Sequence, residues 1–296
     1  DLLATQLKPS CKKGMYEDFI PSETKIIACS FTHYEDRGLD PHLHRHHQLA
    51  NFALFTFKDG SKKILAIDPE SAFKSQLENS AIYDTILNSN LRAYGFVTEP
   101  CVTEKGHPTF RISGYTREQE LSMSKRKLEI DNFVEEQKQL GNYISSDSQA
   151  EIAYIEKIKK NTAQSKITHN CNEILDIVKT EVHKNISNEE LAKIDHIQKN
   201  SEQQKHKANL VNIMKSQNME TDGVIDMSKL RTSIVQAIRF QDNFLTINMI
   251  EIAITKTIEE LKSPSLGKYQ LLEMSDGRFT RMDIAFNERQ LVENVK

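Results

Sequence analysis

The chain has 296 residues, 38% of them hydrophobic and 27% charged, and carries a formal net charge of −3. That balance excludes binding of duplex DNA by bulk electrostatics and leaves only local basic patches open. No apolar run approaches the roughly 20 residues that span a bilayer and no secretory signal is visible, so the reading is a cytoplasmic protein without membrane insertion. The four cysteines, Cys11, Cys29, Cys101 and Cys171, form no CxxC and read as reduced thiols.

In chain order, residues 24–31 read as a strand, with His33 just beyond its end. Residues 34–41 form a polar loop closed by Asp40-Pro41. Residues 43–57 read as a long strand, and His44 and His46, two apart, project from one face of it. His42 shares that face near the strand start, and His47 points the other way. If the two strands pair, His33, His44 and His46 converge. Three neutral imidazoles with open positions suit a divalent metal. Lys58-Asp59-Gly60-Ser61 is a hairpin turn, and Lys62–Ile67 returns as the partner strand.

Asp68-Pro69-Glu70 opens a helix that runs to about Tyr94, with Gly95 as its cap. Its stripe of Phe73, Leu77, Ala81, Ile82, Ile86 and Leu87 reads as core. A second hairpin joins Phe96–Thr103 to Thr109–Ser113, with His107 in the turn facing solvent. Residues 116–262 read as mostly helical, charged and poor in aromatics, with breaks near Gly141–Ser148, Asn185–Ser187 and Asp222-Gly223. A hairpin-like Asp276-Gly277 turn and a helix close the chain. The fold class is therefore α+β: an antiparallel sheet with flanking helices carries the histidine strand, and a mainly helical region follows.

Several pieces in order resemble the relaxase domain of MobF-type conjugative relaxases, the TrwC/TraI-like family. Phe31-Thr32-His33, a charged loop and Leu39-Asp40-Pro41-His42-Leu43-His44-Arg45-His46 look like the family's histidine triad with its DPxLHTH segment. Arg45 replaces the usual Thr, and Asn51 matches an Asn after the triad strand. The helix bearing Tyr83 looks like the family's next helix. Arg117-Glu118-Gln119-Glu120-Leu121-Ser122-Met123-Ser124-Lys125-Arg126 resembles its RxxIExFSKR signature, with Leu121-Ser122-Met123 departing from it. Residues 276–291 echo a segment at the start of the family's helicase region. No GxxxxGK[ST] loop is present, so no ATPase activity is expected.

The resemblance implies metal-dependent nicking and joining of single-stranded DNA at a transfer origin, for plasmid transfer. It implies a divalent metal (Mg, Mn or Zn) on His33, His44 and His46. Asp36, Asp40 and Glu35 are candidates to orient a metal-bound imidazole. The family's nucleophilic tyrosines lie upstream of the triad. Tyr16 alone precedes His33 here and its surroundings do not match, so the catalytic nucleophile is unassigned and the chain reads as truncated at its N-terminus. Lys125, Arg126 and Lys127 are candidate phosphate contacts, and Phe110, Arg111 and Tyr115 a candidate base-stacking group. Other conjugation proteins are candidate partners beside the DNA.

The expected organisation is a partial relaxase domain over 1–135, a helical module over 136–262 and the start of a helicase-like region over 263–296. Two further readings stay open. One is a non-catalytic DNA-binding or interaction remnant of a relaxase. The other is an unrelated metal-binding β protein, against which the Ser124-Lys125-Arg126 segment and the second hairpin argue.

Overall fold

The computed structural model describes residues 8–10, 18–35, 41–68, 70–103, 106–123, 132, 135–136, 139–140, 171–203, 205–217, 223–243 and 245–295. Four strands form one sheet: β1 (Lys8–Pro9), β2 (Lys25–Glu35), β3 (Pro41–Thr56) and β4 (Lys62–Asp68), in the order β1-β4-β3-β2. β3 and β4 pair antiparallel from Phe52↔Ala66 to Thr56↔Lys62. β2 and β3 are hydrogen-bonded neighbours joined by a short loop, a connection that only an antiparallel pair permits. The β3–β4 turn closes as expected, with the Ser61 amide donating to the Asp59 side chain at 2.9 Å.

The expected single helix from 69 to 94 is two: α1 (Glu70–Lys74) and α2 (Gln76–Ala93). Ser75 leaves helical geometry between them, at φ −88° and ψ 6°. Serine competes with the helix through its own local hydrogen bonds, which favours such a break. Gly95 follows α2 at φ 94°, the left-handed conformation of a helix stop. The second hairpin pairs β5 (Thr98–Val102) with β6 (Pro108–Ile112).

Helices described after it include α3 (Arg117–Ser122), α4 (Cys171–Asn185), α5 (Asn188–Asn200), α6 (Leu210–Lys215), α7 (Met227–Ile238) and α8 (Ile247–Leu261). A small hairpin, β7 (Leu271–Glu273) with β8 (Phe279–Arg281), leads into α9 (Met282–Val295).

The chain divides into two compact units. The first holds residues 1–26, 51–113 and 200–296. Its main core joins Ala81 and Ile82 of α2 to Leu230, Ile234, Val235 and Ile238 of α7 and to Ile250, Ile254 and Leu261 of α8. A smaller core under the sheet holds Ala53, Phe55, Phe57 and Ile67, with Phe19 and Leu65 against it.

The apolar stripe of the α1–α2 segment is core only in its middle. Phe73 is 72% exposed and Leu77 56% exposed. The face of α2 that turns inward carries Glu78, Thr85, Asn88, Ser89 and Arg92 beside Ala81 and Ile82. These polar groups are met by a remote part of the chain. The Thr85 hydroxyl donates to the Val235 carbonyl at 3.3 Å, the Asn88 amide to the Arg239 carbonyl at 3.0 Å, and the Leu245 amide to Ser89 Oγ at 2.6 Å. Arg231 bridges Glu78 at 2.7 Å and Glu251 at 2.8 Å. Burial works against the Arg231 charge, but the two carboxylates hold its pKa above the ordinary value.

The second unit holds residues 27–50 and 114–199. Thr116 caps α3 in a reciprocal box with Gln119, whose side-chain amide also reaches Glu190 at 2.9 Å. Gly114, at φ 98°, lets Ile194 of α5 approach to 3.4 Å of where a Cβ would stand. Ser187 and Glu190 form a second capping box, at the start of α5.

Candidate metal centre on the β2–β3 arm

Beyond the β3–β4 pairing, β2 and β3 continue as a two-stranded arm that carries the histidines. Strand alternation sorts them onto two faces. His33 of β2 packs against His44 and His46 of β3, with ring centroids 5.4 and 4.9 Å away. His44 and His46 are 4.9 Å apart. His42, near the strand start as expected, adds a fourth ring 4.7 Å from His44. His33 and His44 are half-buried and His42 and His46 exposed, so the cluster is open to solvent on one side.

The opposite face is separate chemistry. His47 shares a hydrogen bond with Ser30 at 2.8 Å, and Arg45 Nε donates to Thr32 Oγ1 at 3.3 Å. Arg45 therefore turns its charge away from the imidazoles. The Arg-for-Thr departure from the triad pattern places no cation inside the cluster.

Within the cluster, His44 Nδ1 lies 2.6 Å from the carbonyl oxygen of His42. A carbonyl only accepts, so this bond assigns the His44 proton to Nδ1 and leaves Nε2 with a lone pair. That Nε2 faces His46 Nε2 at 3.2 Å. Two imidazole nitrogens about 2.0 Å from one tetrahedral ion stand roughly 3.3 Å apart. The pair already has that separation.

The third ring is not yet in register. His33 lies nearly parallel to His44, at an interplanar angle of 22°. Among the described residues no group of three or more His, Cys, Asp or Glu stands ready to hold a metal ion. The donor chemistry fits a borderline or hard divalent cation, and two of the three nitrogens are set.

The remaining sequence candidates fall elsewhere. Tyr16, Asp36, Asp40, Lys125, Arg126 and Lys127 lie outside the described residues, as does the side chain of Glu35. Phe110, Arg111 and Tyr115 are half-buried, and His107 is exposed in its turn as expected. No residue type announces the orienting carbonyl of His42, because a backbone hydrogen bond leaves no signal in the sequence.

A TrwC relaxase family model matches residues 18–184, more than half of the chain. The chain belongs to the TrwC relaxase family. The match takes in all three triad histidines. Solved structures similar to this TrwC-family chain include conjugative relaxase TrwC in complex with a mutant oriT DNA, at 17% identity and a TM-score of 0.45 over 62% of this chain and 60% of that one. Two more are a metal-bound and a metal-free complex of conjugative relaxase TrwC with oriT DNA. Both are 18% identical with TM-scores of 0.45, and cover 62% of this chain and 58% and 59% of theirs. This chain thus spans about 60% of the length of the structures it matches. No curated protein matches it. Among the described residues no helix is long and apolar enough to cross a membrane.

Proposed function

We propose that this chain carries the metal centre of a conjugative relaxase and acts on single-stranded DNA at a transfer origin, with His33, His44 and His46 as the metal ligands. The observation that carries the reading is the facing pair of Nε2 atoms on His44 and His46, with the His33 ring against both. Bound there, a divalent cation (Mg, Mn or Zn) would polarise a phosphate oxygen and offset charge gained in the transition state.

The chain's own residues do the positioning. The His42 carbonyl fixes the tautomer of His44. β-strand alternation keeps His44 and His46 on one face. The solvent-open side of the cluster leaves room for a phosphate. The nucleophile stays unassigned: Tyr16 is a weak candidate, because its surroundings do not match the family's tyrosine segment. Family membership supports a cytoplasmic setting and a place among other conjugation proteins. The proposed organisation is a partial relaxase domain over 1–135, a helical module over 136–262 and the start of a helicase-like region over 263–296.

The test is calorimetric titration with Mn²⁺ of the intact chain and of its His44→Ala and His46→Ala variants, followed by cleavage of a single-stranded oligonucleotide. Binding that disappears in both variants is expected. A folded intact chain that binds no Mn²⁺ would overturn the metal centre. Metal binding without cleavage, unchanged in Tyr16→Phe, would favour a non-catalytic DNA-binding remnant of a relaxase.

A further inference from the structure

The first compact unit contains a cleft of ≈ 380 Å³, formed where the segment 205–208 lies against α8. Lys205, His206, Lys207 and Lys256 line it, with Glu260 as the acidic lining residue and the buried Thr257 in its wall. In a chain whose net charge is −3, this is a local concentration of positive charge.

The segment, with Gln203 just before it, is held in place by its backbone and its neutral side chains. Gln203 donates to the Arg92 carbonyl at 2.7 Å, and the His206 amide donates to the Phe240 carbonyl at 3.3 Å. The His206 ring sets its edge against Phe240, with centroids 5.6 Å apart. Lys205 and Lys207 stand exposed on this fixed base, and Lys256 is exposed on α8 opposite them. Two of the three touch carboxylates only loosely: Lys205–Asp242 and Lys256–Glu260 are both 3.9 Å apart. Exposed pairs of this kind are weak and screened by salt, so their ammonium groups can turn to another anion.

We infer that this cleft is a second nucleic-acid site, in which Lys205, Lys207 and Lys256 follow the phosphates of single-stranded DNA. Three ammonium groups carried by two facing segments, each on a flexible stem, match successive phosphates of a strand better than one compact anion. A single phosphate is more often held by a ring of backbone amides or a bidentate arginine. The inference rests on the reading of this chain as a DNA-handling relaxase, but it does not depend on the metal centre.

The experiment is fluorescence anisotropy of a labelled 12-nucleotide single strand of arbitrary sequence, titrated with the full chain over a range of salt concentrations. Three proteins are compared: the intact chain, Lys205→Gln/Lys207→Gln/Lys256→Gln, and His44→Ala/His46→Ala, each checked by circular dichroism. The lysine variant should bind more weakly, and its salt slope should fall by about 2, from roughly 0.7 for each phosphate left without its lysine. The histidine variant should keep the slope of the intact chain, even if cleavage and metal binding fail. An unchanged slope in the lysine variant would overturn the inference. So would displacement of the strand by inorganic phosphate at matched ionic strength, which would mark a single-anion pocket. Equal competition by polyglutamate would mark a general polyanion surface and overturn it too.

Discussion

The Nε2 atoms of His44 and His46 face each other at 3.2 Å, across one period of β-strand alternation. Two lone pairs cannot face each other at that distance without a proton or a cation between them. With Nδ1 of His44 committed to the His42 carbonyl, His46 must be the proton donor when no cation is present. Metal binding must therefore move that proton from Nε2 to Nδ1 of His46, a change of tautomer that releases no proton when both rings are neutral. Calorimetric titration with Mn²⁺ in buffers of different ionisation enthalpy checks this. A binding heat that depends on the buffer would show that a proton leaves instead.

His42 tests the ligand set from the other side. Its ring touches His44, yet its contribution to His44 is a backbone carbonyl. His42→Ala keeps that carbonyl. Its Mn²⁺ affinity should stay within about threefold of the intact chain, while His46→Ala should lose roughly 100-fold or more. Calorimetry of the two variants side by side decides this. A large loss in His42→Ala would make His42 a ligand.

Arg231 joins two carboxylates of unequal burial. The Glu78 side chain is 8% exposed and that of Glu251 36% exposed. Arg231→Ala leaves a buried Glu78 carboxylate without its cation and should cost about 3 kcal/mol. Glu251→Ala leaves the Arg231–Glu78 pair intact and should cost about 1 kcal/mol or less. Urea unfolding of both variants measures the difference. Equal losses would mean that the exposed carboxylate matters as much as the buried one.

The exposed and buried ends of the α2 surface should respond differently to truncation. Leu77→Ala removes a side chain that is 56% exposed and should change stability by no more than about 0.5 kcal/mol. Leu230→Ala on α7 opens a cavity at a position that is 0% exposed and should cost about 2–5 kcal/mol. Thermal or urea denaturation reads both.

The start of α5 should be acid-sensitive. Hydrogen bonds from the Ser187 hydroxyl and amide hold the Glu190 carboxyl below the ordinary glutamate pKa, and the Gln119 amide adds to them. A lowered folded value means that the stabilisation is present above the ordinary glutamate range. It is lost as pH falls through the lower, folded value. Amide exchange at the start of α5 should speed up over that acid interval in the intact chain, and Glu190→Gln should remove the pH dependence. An intact chain with no such acid response would rule out the carboxylate's role in the cap.

Much of the arm was legible. Alternation put His44 and His46 on one face, the apolar run ending at Phe31 placed His33 beside them, and Asp59-Gly60 closed the hairpin that continues into β4. These are local rules, acting over a few residues of strand or turn. The helical segment was legible at its two ends, but not in its break at Ser75 or in its facing. Thr85, Asn88 and Ser89 look like solvent-facing residues in a linear pattern. They are buried because their hydrogen-bond partners Val235, Arg239 and Leu245 arrive from about 150 residues later. No periodicity of 76–93 contains that information.

The basic cleft follows the same division. Lys205-His206-Lys207 is visible as a short basic run, but a run on a loop is ordinarily a solvated surface. It becomes a cleft only because α8 supplies Lys256 across from it.

By itself the sequence determined the histidine-bearing strands, the hairpin turns, the helix stop at Gly95 and the histidine face, since each depends on backbone geometry within one or two elements. Only the tertiary structure decided which polar residues are buried, how the imidazoles orient one another and where the lysines gather. Those outcomes depend on desolvation and hydrogen bonding between segments that chain order keeps far apart.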